Sequence, residues 1–341
     1  MPGTSDVSHS PVIAEIDFEK PGKQFGALRV PQSRNDSGWG TISIPIVVVK
    51  NGKGPTILFT AGNHGDEYEG QVTLLNLSRA LDPQEIEGRV IIIPAMHFPA
   101  ALNGTRMSPI DGKDFNRSFP GNPRGTFAEV LAHYVDSRLL PLCDFQMDLH
   151  SGGHGMDVYC CTALHDLDDP AMMRRSLDMA NAFNAPVTIV LKEVNAGPTL
   201  LAAAEKRKIP ALSSELGGRA YVNIDNLEVT ERGVRNVLKH VGIMKGTPAP
   251  HPRYGKSRVM TVPDFNCYIF VPRAGLFQPA DHLGAMVTAG RPAGWLHFIE
   301  DPSAPPIELT YKASGLLWCT RGEARVQTGD PVVVIAQDRA S

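Results

Sequence analysis

Five short runs of apolar and β-branched residues, separated by segments with helical periodicity, constrain the fold of this chain most. Runs that lack polar alternation are typical of strands buried on both faces. The segments between them repeat apolar residues at helical spacing, as at Val72, Leu75 and Leu77. Strands that alternate with helices predict an α/β fold, with a mostly parallel or mixed sheet covered by helices. The five runs are residues 56–60, 89–94, 145–150, 187–191 and 209–214.

The pattern changes near residue 245, where a segment rich in Gly and Pro cannot continue a helix. Short β-like runs separated by Gly and Pro follow, which predict a small all-β module. We therefore expect a flexible N-terminal tail at residues 1–15, a larger domain at 16–245 that carries the chemistry, and a β-rich domain at 246–341.

Composition excludes several classes of function. The formal net charge is -3 and there is no basic stripe, so we expect no nucleic-acid partner. No apolar run approaches the ~18 residues of a membrane span, and the N-terminus lacks the pattern of a secretory signal. The five cysteines are odd in number and show no CxxC spacing, which favours free thiols and a cytoplasmic location. The sequence leaves open whether the chain forms a homo-oligomer.

Two histidines and one glutamate follow the ends of two predicted strands. His64 and Glu67 stand three residues apart in a turn that contains glycine, and His150 closes the run at 145–150. Two imidazoles and one carboxylate, with a fourth position open to water, are the ligand set of a hydrolytic zinc ion. A lone histidine is more often a hydrogen-bonded core or surface residue, but three such residues beside glycines at strand ends favour a site for one Zn²⁺ per chain.

Other polar residues are expected near this site. Asp148 lies two residues before His150, so both side chains share one face of the strand, where the carboxylate can orient the imidazole. The alternative is an aspartate buried with backbone partners. Glu215 ends the run at 209–214 and can accept a proton from water and deliver it to a leaving amine. Its alternative role is a capping or salt-bridged glutamate.

The long polar connection at residues 103–125 is of a length that is usually functional or disordered. Within it, Asn116 and Arg117 offer an amide and a planar fork that suit a substrate carboxylate. Arg106 can face a scissile carbonyl. The alternative is that these arginines lie on the surface, paired with Asp111 and Asp114.

The turn from Gly62 to Glu67 resembles the succinylglutamate desuccinylase and aspartoacylase family, a branch of the zinc carboxypeptidase-like fold. The segments 114–117, 148–152 and 215–217 are similar to the same family, and the resemblance covers about residues 40–240. It implies zinc ligands at His64, Glu67 and His150, and Glu215 as general base and acid. It further implies an oxyanion-stabilising role for Arg106, and substrate-carboxylate binding by Asn116 and Arg117.

The resemblance implies a small-molecule substrate, an N-acyl amino acid, from which a zinc-dependent hydrolase releases a short acyl group such as acetyl. Two other hypotheses stay open. One is a carboxypeptidase that acts on peptides, and the other is a zinc-binding module without catalysis. The sequence does not identify the acyl group or the residue that recognises the substrate side chain.

Overall fold

The computed structural model describes residues 10–192 and 197–339. Residues 1–9 of the predicted tail lie outside the described residues. The N-terminal two-thirds of the described chain contributes ten strands: β1 (Ile13–Ala14), β2 (Gly22–Pro31), β3 (Thr41–Asn51), β4 (Thr56–Ala61), β5 (Gly88–Ile93), β6 (Phe145–His150), β7 (Met156–Val158), β8 (Cys161–His165), β9 (Val187–Leu191) and β10 (Ala211–Glu215).

The remaining third contributes nine shorter strands, as the change of composition near residue 245 predicts. They are β11 (Arg258–Thr261), β12 (Tyr268–Phe270), β13 (Gly275–Pro279), β14 (Met286–Val287), β15 (Pro292–His297), β16 (Ile307–Thr310), β17 (Gly315–Arg321), β18 (Arg325–Val326) and β19 (Pro331–Asp338).

The central strands run parallel in the order β5-β4-β6-β10, and β8 joins β10 in the antiparallel sense. Successive residues of β4 enter different cores: Ile57 and Phe59 pack on one face of the sheet, and Leu58 packs on the other. All three are fully buried. A strand that is buried on both faces has no polar alternation, so the apolar runs are confirmed as core strands of a mixed α/β sheet.

Six helices cover the two faces of this sheet in the described residues. On one face α1, α4 and α6 contribute to the core that contains Phe59, and on the other α3 and α5 contribute to the core that contains Leu58. The helices are α1 (Tyr68–Ala80), α2 (Phe98–Asn103), α3 (Phe127–Tyr134), α4 (Pro170–Phe183), α5 (Leu200–Lys206) and α6 (Ile224–His240). No helix in residues 10–192 and 197–339 is long and apolar enough to cross a membrane.

The C-terminal strands extend the main sheet as well as forming a separate one. Strand β11 pairs in parallel with β9 and antiparallel with β19, so the sheet passes from the larger segment into the smaller one. A second sheet has the order β16-β15-β13-β18. The small antiparallel module is confirmed, whereas the boundary at residue 245 stays a prediction.

The capping-box pattern of Thr126 and Glu129 predicts an α-helix from Thr126 to about Leu142, and the second half of this prediction is wrong. Its start is as expected, since Thr126 N donates to the Glu129 carboxylate over 2.8 Å, as in a capping box. The α-helix ends at Tyr134, continues as a π-helical turn at Val135–Leu139, and closes as a 3₁₀ turn at Leu140–Leu142. Pro141 cannot donate the hydrogen bond that a continuing α-helix needs.

Candidate active site

The register of three parallel strands brings the predicted site residues to one edge of the sheet. Ala61 at the end of β4 pairs with Leu149 of β6, and His150 of β6 pairs with Glu215 of β10. His64 and Glu67 follow β4 directly. Because the carboxyl ends of parallel strands meet at one edge, residues far apart in the chain become neighbours there.

The turn after β4 depends on two glycines. Gly62 has a φ of 66°, which a side chain makes costly. A Cβ atom at Gly65 would overlap the backbone carbonyl of Ala100, so the turn and α2 pack backbone against backbone. Glu67 then occupies the N-cap position of α1, with its side chain directed into the site instead of capping the helix. The close packing fixes where His64 and Glu67 lie.

His64, Glu67 and His150 form a compact cluster of three buried side chains. Their ligand atoms all lie within 4.8 Å of one another. His64 Nδ1 is 2.6 Å from Glu67 Oε1, and His150 Nδ1 is 2.8 Å from Glu67 Oε2. The two Nδ1 atoms therefore converge on one carboxylate, as two imidazole ligands and a carboxylate ligand of a single metal ion must.

The outer nitrogen of each imidazole contacts a carboxylate. His150 Nε2 is 2.8 Å from Asp148 Oδ2, and His64 Nε2 is 3.1 Å from Asp114 Oδ1. An Nε2–H that donates outward leaves the Nδ1 lone pair free to point inward. Asp148 also accepts from Thr60 Oγ1 over 2.6 Å and from the Asn63 amide, which hold it in place. This donor arrangement fits a zinc ion.

The charges within the cluster are mutually stabilised. Burial favours the neutral acid at Glu67, but the adjacent His64 and His150 imidazoles outweigh it and hold the pKa of Glu67 below its usual range. Burial also acts against ionisation of Asp114, yet His64 and Arg106 lower the pKa of that carboxyl. Both groups stay anionic at neutral pH, as a ligand and its orienting partner require.

Glu215 lies next to this cluster without belonging to it. Its Oε2 atom is buried and finds no hydrogen-bond donor within residues 10–192 and 197–339. Burial, reinforced by the negative charge of Glu67, raises the pKa of Glu215 to about 7. A carboxyl group that is poised near neutrality can both take up and release a proton.

Arg106 reaches into the site from the long polar connection. Its guanidinium donates to Asp114 Oδ2 over 3.1 Å and to His64 Nδ1 over 3.3 Å, and it lies 3.7 Å from Glu67 Oε1. The expected alternative of pairing with Asp114 is therefore found, but within the site and not on an outer surface.

Asn116 and Arg117 occupy a 3₁₀ turn at Phe115–Arg117, and both line the same cavity as Arg106. The Asn116 amide oxygen accepts from Leu200 N over 3.0 Å, and its amide nitrogen lies 3.4 Å from His150 Nε2. Arg117 is exposed and donates only to the Asn116 carbonyl among its described contacts, over 3.1 Å. Its guanidinium keeps donors available to a ligand.

These side chains line one cavity of about 320 Å³. Its remaining walls come from residues that sequence reasoning did not single out, among them His165, Leu201 and Tyr268. Asp114 was also missed as part of the site. It stands in the motif at 114–117, but its contact with His64, 50 positions away, is visible only in three dimensions.

Comparison with known proteins gives a consistent result. Residues 53–241 match the family model described as the succinylglutamate desuccinylase/aspartoacylase catalytic domain. The chain is 40% identical to the N-alpha-acetyl-L-2,4-diaminobutyric acid deacetylase of Halomonas elongata over 331 residues, which cover 96% of this chain and 95% of that protein.

Two solved structures are similar over nearly their whole length. A succinylglutamate desuccinylase/aspartoacylase from Rhodobacter sphaeroides is 47% identical with a TM-score of 0.93, and the match covers 97% of this chain and 99% of that one. The product-bound ectoine utilization protein EutE (DoeB) from Ruegeria pomeroyi is 36% identical, also with a TM-score of 0.93, over 96% of this chain and 99% of that one.

Proposed function

Because the chain belongs to the succinylglutamate desuccinylase/aspartoacylase family, we propose that it is a zinc-dependent deacetylase of N-acyl amino acids. As a family member it is a hydrolase of amide bonds. We propose Nα-acetyl-L-2,4-diaminobutyrate, an intermediate of ectoine catabolism, as its substrate. The 40% identity to a deacetylase of that compound across almost the whole chain carries the substrate assignment.

In this proposal His64, Glu67 and His150 hold the zinc ion. When bound, zinc supplies Lewis acidity, which lowers the pKa of a water molecule and polarises a carbonyl group. Asp148 and Asp114 keep the two imidazoles in the tautomer that presents Nδ1 to the cluster. The support is the set of outward contacts at 2.8 and 3.1 Å.

Glu215 moves the proton in this mechanism. Its carboxylate takes the proton from the attacking water and returns it to the nitrogen of the scissile amide, so the amine leaves uncharged and the acyl group leaves as a carboxylic acid. The pKa of about 7 supports both half-reactions, since neither transfer is strongly uphill at neutral pH.

Arg106, Asn116 and Arg117 bind the charged parts of the substrate. Arg106 lies within 4 Å of Glu67 and His64, where its guanidinium can stabilise negative charge that develops on the carbonyl oxygen. Asn116 and the exposed Arg117 present amide and guanidinium donors to the α-carboxylate at the mouth of the cavity.

A panel of Nα-acyl amino acids tests this function. We expect release of acetate from Nα-acetyl-2,4-diaminobutyrate with a higher kcat/KM than release of acetate from N-acetylaspartate or of succinate from N-succinylglutamate. A preference for either of the latter would replace the substrate assignment with an aspartoacylase or desuccinylase activity. Cleavage of peptides alone would indicate a carboxypeptidase, and zinc binding without turnover a non-catalytic module.

Two further assignments rest on the same footing. We propose a cytoplasmic location, supported by five cysteines that are all unpaired. We also propose a catalytic domain and a β-rich domain that meet at residue 245. The tail expected at residues 1–15 includes strand β1, which pairs with β2. Fractionation of the host cell tests the location.

A further inference from the structure

One wall of the cavity contains a histidine that the mechanism does not use and that contacts a carboxylate. His165 lines the cavity, and its Nδ1 is 2.8 Å from Glu205 Oε2. Both side chains are largely withdrawn from solvent, with exposed fractions of 15% and 11%. The pair joins the last residue of β8 to the helix α5.

No lysine or arginine within the described residues forms an ion pair with Glu205. The contact with His165 is its only ion pair there. When the neutral imidazole donates its Nδ1–H to Glu205, its Nε2 carries a lone pair. The pair then offers a hydrogen-bond acceptor backed by a negative charge, which is suited to a cation and unfavourable to a carboxylate.

Apolar side chains line the cavity close to this pair in the chain. Ala163 precedes His165 by two residues, so both lie on one face of β8, and Leu201 lies one helical turn before Glu205 on one face of α5. Ala163 and Leu201 both line the cavity. A methylene chain that ends at His165 therefore has small and aliphatic side chains to pack against.

Helix α5 sets the spacing between this pair and Asn116. Leu200 N donates to Asn116 at its start, and Glu205 follows five residues later, a rise of ~7.5 Å along the helix axis. One short helix thus holds Asn116 and the His165–Glu205 pair within two helical turns of each other. The one lysine among the cavity-lining residues, Lys192, is solvent-exposed and does not neutralise the pair.

We propose that His165 and Glu205 form the specificity subsite that recognises the side-chain ammonium of the substrate. This proposal rests on the proposed deacetylase function and adds the residues that distinguish a cationic side chain from an acidic or apolar one. His165 accepts the hydrogen bond from the ammonium group, and Glu205 acts through His165 as a positioning residue and a source of negative charge.

The test compares two substrates that differ only in the terminal group. Nα-Acetylnorvaline carries a methyl group where Nα-acetyl-2,4-diaminobutyrate carries the ammonium. For the zinc-loaded full-length enzyme we expect kcat/KM to favour the diaminobutyrate derivative by roughly 10- to 100-fold, as is usual for a hydrogen bond to a charged group. A parent enzyme without this preference overturns the proposal, whatever any variant does.

The variants Glu205→Gln and His165→Phe locate the preference. Each is expected to lower kcat/KM for Nα-acetyl-2,4-diaminobutyrate more than kcat/KM for Nα-acetylnorvaline, so that the ratio of the two values approaches unity. Equal losses on both substrates would mean a purely structural role and overturn the proposal. Asp136→Asn is the matched control, since it removes the neighbouring ion pair with Arg207, just beyond the end of α5, outside this cavity, and the ratio should not change.

Binding of the products separates failure of the subsite from failure of the proposed function. Calorimetric titration should show tighter binding of 2,4-diaminobutyrate than of norvaline to the parent enzyme, and loss of that difference in both variants. If neither acetylated substrate is hydrolysed but this difference is present, the deacetylase assignment fails and the subsite stands. If hydrolysis proceeds without any discrimination, the subsite fails and the deacetylase assignment stands.

Discussion

At the scale of single residues, the site is a set of carboxylates with different tasks that depend on their neighbours. Glu67 lies between two imidazoles and stays ionised, whereas Glu215 lacks a hydrogen-bond donor at Oε2 among the described residues and has a pKa of about 7. Asp148 and Asp114 contact the outer nitrogens of the imidazoles. In the proposed mechanism one functional group, the carboxylate, thus supplies a ligand, a proton carrier and two orienting groups.

Asp148→Asn is expected to weaken zinc binding by roughly 10- to 100-fold, because an amide no longer stabilises the Nε2–H tautomer of His150. Titration against a chelator of known affinity measures the effect. Asp144→Asn is the control, since Asp144 accepts from Thr56 N over 2.8 Å at the opposite end of the same strand pair. Equal affinities in the parent and Asp148→Asn would contradict the orienting role.

Glu215→Gln is expected to keep zinc and lower kcat by roughly 10²- to 10⁴-fold, the usual loss for a missing general acid-base. A base acts only when deprotonated, so kcat/KM of the parent should fall as the pH drops below the pKa of Glu215. That pKa is about 7 without metal, and the positive charge of bound zinc moves it lower.

The fall of kcat/KM at low pH should be altered or absent in Glu215→Gln. Glu129→Gln, which changes a capping glutamate outside the cavity, serves as the control. A near-normal kcat in Glu215→Gln would remove this residue from the mechanism. A joint loss of activity and melting temperature would instead indicate that Glu215 supports the adjoining Gly217–Gly218 turn.

At the scale of elements, α1 is joined to the start of α6 by a buried carboxyl group. Glu69 in the first turn of α1 accepts from Asn223 N, the N-cap residue of α6, over 3.2 Å. Glu69 is fully buried, and burial raises its pKa to about 7 from an ordinary value of 4.5. This contact holds α1, the helix that follows the turn with His64 and Glu67, against the start of α6.

This shift predicts a pH dependence of stability in the metal-free protein. The folded state holds the Glu69 proton more tightly than the unfolded state, so the stabilising contribution is complete below pH 4.5 and is lost as the pH rises through 7. Glu69→Gln, which cannot ionise, should therefore gain stability relative to the parent between pH 5 and 8, by on the order of 3 kcal/mol.

Urea denaturation of the parent and the variant at pH 5 and at pH 8 measures this difference in the free energy of unfolding. Glu129→Gln is the control: the contact with Lys113 lowers the pKa of Glu129 from its ordinary value of 4.5, so the carboxylate stays ionised from pH 5 to pH 8 and the difference in stability from the parent should stay nearly constant. If the difference in the free energy of unfolding between Glu69→Gln and the parent is the same at both pH values, Glu69 does not titrate in this range.

At the scale of the whole molecule, the main sheet continues across the change of composition near residue 245. Met260 of β11 and Ala336 of β19 share a buried cluster with Ile189 of β9, and Tyr268 lines the catalytic cavity. We expect residues 1–245 alone to aggregate, because β9 becomes an unpaired edge with exposed apolar side chains. A soluble, zinc-binding 1–245 fragment, detected by size-exclusion chromatography, would show that the larger segment folds independently.

The same scale shows where sequence reasoning succeeded. The strand at 145–150 and the start of the helix at Thr126 follow from local patterns, and both are found as expected. The cluster of His64, Glu67 and His150 could be predicted because each of its members ends a strand or lies in the turn that follows one. Such signals are carried by adjacent residues.

Other features depend on pairings that no local pattern encodes. Strand β8 is short and its antiparallel partner β10 lies 50 residues away for the pair Ser213 and Ala163. The local sequence around His165 therefore does not indicate that this residue lines the cavity, which only the strand pairing shows. The contact between His64 and Asp114 was missed for the same reason, and the boundary at residue 245 was inferred from composition, which says nothing of sheet continuity.

The contact between Glu67 and His150 also bears on the conformational entropy of the unfolded chain. These residues are 83 positions apart, so an ion that binds both would close a long loop of polypeptide. A covalent cross-link of that span is worth ~4–5 kcal/mol of chain entropy in the unfolded state. Zinc would thus act as a reversible cross-link between the segments that end β4 and β6. A higher melting temperature in the presence of zinc than in the presence of a chelator would demonstrate this effect. The availability of metal in the cell would then control how long the polypeptide survives as well as how fast it turns over substrate.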